Sequence, residues 1–98
     1  VYIDDINDFH LQAISDPRTD GRVFNLGSGS NYSIQEIFEK IKNLLSSPLK
    51  PTYLPHLPGE AEETLACINE AKSLGWQPKT SLEEGLRLSI QFIKEHVL

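Results

Sequence analysis

Hydrophobic positions recur along this chain in two rhythms, and the switches between them mark out its elements. Ile6, Phe9, Ala13 and Ile14 return at helical spacing behind Asp4 or Asp5 as an N-cap, and Pro17 and Gly21 close that segment. Ahead of it, the β-branched and aromatic run Val1-Tyr2-Ile3 reads as the end of a strand. Arg22-Val23-Phe24-Asn25-Leu26 then alternates at period two and empties into Gly27-Ser28-Gly29-Ser30-Asn31, a strand followed by a loop. A second helix announces itself through Ser33 and Glu36 as a capping box and Tyr32 and Ile37 as a hydrophobic staple. Its buried stripe is Ile34, Ile37, Phe38, Ile41, Leu44 and Leu45.

Beyond Ser46-Ser47-Pro48, Thr52-Tyr53-Leu54 is a short strand candidate fenced by Pro51 and Pro55, with the loop His56-Leu57-Pro58-Gly59-Glu60 after it. Asn69 is placed to cap a brief helix over Glu70 to Leu74. Gly75 takes the left-handed closing position, Trp76 folds back into the core and Pro78 forbids continuation. The last helix repeats the capping-box device with Ser81 and Glu84. Leu82, Leu86, Ile90, Ile93 and Val97 line one face, and Glu83 and Arg87 are spaced to pair at the solvent side. The pattern predicts an α/β architecture of two short strands with about four helices. Because two strands make too small a sheet to stand alone, the sheet is expected to continue in another segment.

Composition narrows the function. The 98 residues fit one small domain, and nine Lys+Arg against fourteen Asp+Glu leave a net charge of -5, which disfavours the clustered basic face that nucleic acid requires. No apolar run approaches the roughly 20 residues of a membrane helix. Neither nucleic acid nor membrane is therefore an expected partner, and because the single cysteine, Cys67, makes no internal disulfide, nothing ties the fold to an oxidising compartment and the expected one is the cytoplasm. The sequence holds no Met, so Val1 is read as an internal position and the chain as a piece of a larger protein.

Candidate chemistry is sparse. Gly27-Ser28-Gly29 follows a strand signal, but Tyr32 stands where a dinucleotide fingerprint needs its third glycine, and no acid follows the next strand to hold a ribose. These glycines serve turn geometry or a close backbone approach to a ligand. His10, His56 and His96 lack ligand spacing, so no metal site is expected, and no nucleophile motif surrounds Cys67. Asp4, Asp5 and Asp8 crowd one helix start, where caps and the helix dipole favour acids. No catalytic residue is assigned.

The order of the motifs carries more than any one of them. Val1-Tyr2-Ile3-Asp4-Asp5-Ile6, Phe24-Asn25-Leu26-Gly27, Ser33-Ile34-Gln35-Glu36, Pro58-Gly59-Glu60, Asn69-Glu70-Ala71-Lys72, Leu74-Gly75-Trp76-Gln77-Pro78 and Ser81-Leu82-Glu83-Glu84-Gly85-Leu86 follow one another across the whole chain. Together they resemble the C-terminal third of the NAD-dependent epimerase/dehydratases, the extended short-chain dehydrogenase/reductase proteins, and within them the nucleotide-sugar epimerases of the UDP-glucose 4-epimerase type. The resemblance implies a parent enzyme whose N-terminal Rossmann domain holds NAD and carries the catalytic Tyr-x-x-x-Lys pair. Residues 1–98 would form the single small C-terminal substrate-binding subdomain that closes over a UDP-type nucleotide sugar. On its own this part would be catalytically incompetent and would bind no cofactor.

Carried over residue by residue, the resemblance makes Glu60 of the Pro-Gly-acid loop the best candidate for contact with the nucleotide ribose. The family often places an Arg before that proline to neutralise the diphosphate. Here Leu57 stands there with His56 alongside, so phosphate affinity is either supplied elsewhere, with His56 a candidate, or reduced. Asn25 and Gly27 match a strand end facing the family's cleft, Asn25 either lining it or making a local turn bond. The expected partners are the nucleotide sugar, the upstream NAD-binding domain and, through the apolar face that domain would cover, a second copy of the chain. Two other readings remain: a stand-alone, non-catalytic binding or interaction module, and the same part of a nucleotide-sugar dehydratase, decarboxylase or reductase.

Overall fold

The computed structural model describes residues 1–98. Its regular elements are helices: α1 (Ile3–Ser15), a 3-10 turn (Pro17–Thr19), α2 (Ile34–Leu45), α3 (Asn69–Ser73) and α4 (Leu82–His96). They fall into two compact units, one built from Val1–Ser30 with Leu65–Leu98, the other from Asn31–Thr64.

There is no strand, which overturns the α/β expectation. Along Arg22–Leu26 the alternation itself survives: Phe24 and Leu26 pack against the core, while Val23 is 86% exposed and Asn25 points outward. What fails is pairing, because Val23 to Gly27 make no backbone hydrogen bond, and a strand exists only beside another strand whose presence no local pattern can specify. Thr52-Tyr53-Leu54 loses more, with Leu54 82% exposed and Pro51 and Pro55 withholding amide donors on either side. The expected strand end at Val1-Tyr2-Ile3 is also displaced, since Ile3 already opens α1.

In the first unit the core is Phe9, Ile68, Ala71 and Trp76, with Phe24 and Leu26 against it. Phe9 organises the ring packing, 5.1 Å from the Phe24 centroid and 6.2 Å from that of Trp76, the latter edge to face. Trp76 reaches this core because α3 ends as the sequence predicts. Gly75 sits at φ +96°, its N–H donates to Lys72 O at 3.0 Å, and Trp76 N–H donates to Ala71 O at 3.2 Å, the paired bonds of a Schellman closure. Asn69, however, is the first residue of α3 and not its cap. Ile68 occupies the cap position with no side-chain bond, its own side chain being drawn into the core instead.

The N-cap assigned to Asp4 or Asp5 is likewise corrected. Tyr2 holds that position without a side-chain bond, and both acids lie in the first turn. Asp5 is only 3% exposed, and its carboxylate accepts from Lys79 N at 3.0 Å, Thr80 N at 2.9 Å and Thr80 Oγ1 at 3.2 Å. Its carbonyl accepts from Trp76 Nε1 at 2.7 Å. One residue thus ties the start of α1 to the segment entering α4. At the other end of α1, Gln12 Nε2 donates to Leu74 O at 2.8 Å and to Asp16 Oδ2 at 3.1 Å. Hydrogen bonds from Arg18 first, and then from Gln12, hold the Asp16 carboxyl well below the usual carboxylate range.

Ser81 caps α4 by accepting from Glu84 N at 3.1 Å, but the reciprocal half of that box is missing. Glu84 turns its carboxylate to Arg87, which donates through Nε at 2.9 Å and Nη2 at 2.7 Å in a forked pair. This pair lowers the Glu84 pKa from its ordinary value. Toward its C-terminus α4 leaves Phe92 and Ile93 exposed, and Val97 just beyond it is exposed as well.

In the second unit α2 forms where its pattern places it, and its box closes in both directions. Glu36 N donates to Ser33 Oγ at 3.0 Å, and Ser33 N donates to Glu36 Oε2 at 2.7 Å. The helix stops at Leu45, where Ser46 adopts a left-handed conformation at φ +49°. No residue between Asn31 and Thr64 is buried; Ile37, Phe38 and Ile41 are half-covered, while Ile34, Leu44 and Leu45 are exposed.

Candidate functional site

The four residues singled out from the sequence divide between the two units: Asn25 and Gly27 belong to the first, His56 and Glu60 to the second. Each pair is shaped by its own local physics.

In the second unit, Leu57-Pro58-Gly59-Glu60 forms a tight turn. Proline pre-sets φ at the second position, glycine supplies φ +85° at the third, and Glu60 N–H donates back to Leu57 O at 3.2 Å. The Glu60 side chain closes the same turn a second time, Oε2 accepting from Leu57 N at 3.0 Å. His56 Nδ1 lies 4.0 Å from that oxygen. With the His56 side chain 94% exposed, the ion pair formed when histidine is protonated adds little to stability. The consequence is orientation: Glu60 is not a freely rotating surface acid but a carboxylate held through Oε2 by the turn it terminates.

In the first unit, packing Phe24 and Leu26 inward turns Asn25 outward. Asn25 is exposed and makes none of the chain's side-chain hydrogen bonds, so of its two expected roles the local turn bond is not formed. Gly27 has a structural explanation. A Cβ at this position would lie 3.1 Å from the Ala66 Cβ and 3.7 Å from Ile68 Cγ2, and one on Gly29 would lie 3.3 Å from Ile68 Cδ1. The space that a pyrophosphate-binding glycine keeps for a cofactor is filled here by residues 66 and 68. The residues present therefore do not fit a dinucleotide, and no step through NAD is derived for them. Nor does any group of three or more His, Cys, Asp or Glu stand close enough to hold a metal ion.

Sequence reasoning missed two features. Asp5 is one of three acids near the start of α1, yet it alone sits four residues before Phe9 on the apolar face, and an acid on such a face needs a partner. The second is Asn31, whose Nδ2 donates to Glu63 Oε1 at 2.7 Å across 32 positions. No spacing rule signals a contact at that separation.

Comparison with known proteins gives this geometry its context. The chain is 36% identical over 77 residues to the UDP-glucuronate 4-epimerase of Thermodesulfobacterium geofontis, a match covering 76% of this chain and 24% of that protein. It is 30% identical over 95 residues to the UDP-glucose 4-epimerase of Mycolicibacterium smegmatis, covering 96% of this chain and 30% of that protein. Among solved structures, the UDP-glucose 4-epimerase of Thermotoga maritima, crystallised with UDP-glucose, superposes with a TM-score of 0.89 at 32% identity, over 100% of this chain and 31% of that one. No family model matches the chain. These likenesses define a nucleotide-sugar epimerase segment. The chain belongs to the UDP-glucose 4-epimerase-like family and corresponds to that family's C-terminal region, spanning less than a third of the length of these relatives. No helix is long and apolar enough to cross a membrane.

Proposed function

We propose that this chain is the part of a nucleotide-sugar 4-epimerase that receives the nucleotide of a UDP-sugar, with Glu60 accepting hydrogen bonds from the ribose hydroxyls. The observation that carries the reading is the match of the entire chain to an epimerase solved with UDP-glucose, together with a turn that already holds the Glu60 carboxylate in one orientation. An oriented carboxylate suits a vicinal diol because its lone pairs can accept two hydroxyl donors without reorganising. His56, four residues earlier in the same unit, is the residue we assign to the diphosphate when protonated.

Chemistry at the sugar is assigned elsewhere in the enzyme. NAD, held by another part of the parent enzyme, would supply the hydride chemistry, and the residues of this chain bind and orient the nucleotide. The apolar residues left exposed at the end of α4 and just beyond it, Phe92, Ile93 and Val97, are the surface we assign to that domain, or to a second copy in its absence. Incubated with NAD and UDP-glucose, the purified chain is expected to give no epimerisation above a control lacking protein. Measurable turnover would overturn the division of labour.

A further inference from the structure

The segment Asn31–Thr64 contains no buried residue, and the apolar face of α2 is only half-covered, at Ile37, Phe38 and Ile41. Polar ties therefore carry a share of its order. One of these joins its two extremities: the Asn31 side-chain amide donates to the Glu63 carboxylate at 2.7 Å, Asn31 being the first residue of the unit and Glu63 the last but one. The acceptor is charged and the distance short, the features of the stronger class of hydrogen bond, and both side chains are exposed to solvent. The bond closes a 32-residue separation, and opening it would free the returning strand of chain to sample the conformations of a long loop. That returning chain carries the Pro58-Gly59 turn, and only Ala61 and Glu62 separate Glu60 from Glu63.

We propose that Asn31 and Glu63 are positioning residues: their hydrogen bond clasps the two ends of Asn31–Thr64 and so holds the Glu60 turn in the geometry that meets a nucleotide. The inference rests on the nucleotide-binding reading above for its functional half, and on the clasp alone for its structural half. Neither residue touches the ligand. Their effect is to lower the ordering that binding would otherwise require of the loop.

Three variants of the full chain separate the possibilities. Asn31→Asp sets a carboxylate against a carboxylate and opens the clasp. Glu63→Gln keeps an acceptor oxygen and leaves it closed. Asn31→Asp combined with Glu63→Gln restores a donor–acceptor pair with the roles reversed. Nitrogen-15 relaxation is expected to give backbone order parameters near 0.8 for residues 57–64 in the parent chain and in Glu63→Gln, falling below about 0.6 in Asn31→Asp and recovering in the double variant. The dissociation constant for UDP is expected to follow the same order, rising about fivefold in Asn31→Asp and returning in the double variant. Order parameters unchanged in Asn31→Asp, or not recovered in the double variant, overturn the clasp. Lost order with unchanged UDP affinity overturns the positioning role. If the parent chain fails to bind UDP while the order parameters move as described, the nucleotide reading fails and the clasp stands.

Discussion

Replacing Trp76 with Ala is expected to unfold most of the first unit. Trp76 is 4% exposed and is one of only four residues that form the core, so its ring cannot be removed and the space shared out among many neighbours. It packs edge-on to Phe9 at 6.2 Å and donates through Nε1 to the Asp5 carbonyl at 2.7 Å. Truncating a buried Trp to Ala costs about 3–5 kcal/mol from lost transfer energy and the cavity left behind. A small domain has about 5–15 kcal/mol in all, and a core of four residues places this one toward the lower end. Urea unfolding followed by far-ultraviolet circular dichroism should show the transition shifted close to zero denaturant. Trp76→Phe keeps most of the ring and loses the Nε1 donor, so it should cost about 1–2 kcal/mol. A Trp76→Ala chain that unfolds at the same urea concentration as the parent would contradict the core described above.

The second large effect is expected at Asp5. Asp5→Ala strands two backbone N–H groups, those of Lys79 and Thr80, along with the Thr80 hydroxyl, in a place where the carboxylate excludes most water. Orphaning partners of a charged, buried acceptor costs about 2–4 kcal/mol. Asp5→Asn keeps an oxygen for the two amides, which share Oδ2, and sets its own amide toward a hydroxyl that can accept. It should lose only about 1 kcal/mol. Asp4→Ala, at an exposed position one residue away, serves as the control and should change little. The same denaturation measurement ranks the three. If Asp4→Ala and Asp5→Ala prove equivalent, the clamp between α1 and the entry to α4 carries no stability.

How much of this was legible beforehand depended on the range of the interaction. Devices complete within a few residues read correctly: the Ser33–Glu36 box, the stop at Leu45, and the Gly75–Trp76 closure of α3 each need only local backbone geometry. Where two neighbours compete for one group, the sequence could not choose. Glu84 serves Arg87 in preference to the backbone of Ser81, and Ile68 takes the cap position of α3 that Asn69 was expected to fill. Pairing across the chain was invisible. The alternation survives at Phe24, Asn25 and Leu26 while apolar Val23 is left exposed, and the missing ladder reflects the lack of a partner strand within these 98 residues.

The site was legible to a similar degree. Proline and glycine at positions 58 and 59 dictate the turn, so its form follows from residue types alone. That Glu60 bends back to accept from Leu57 N, and that Gly27 is required by Ala66 and Ile68, emerge only from the fold. The long-range bond between Asn31 and Glu63 belongs with Asp5 among contacts that no periodicity encodes.

Whether this chain owns part of a nucleotide site is tested most directly by nitrogen-15 amide spectra recorded with and without UDP. The account predicts a dispersed spectrum in which saturating UDP moves the amides of His56 through Glu60. A dispersed spectrum that stays fixed at saturating UDP would contradict it.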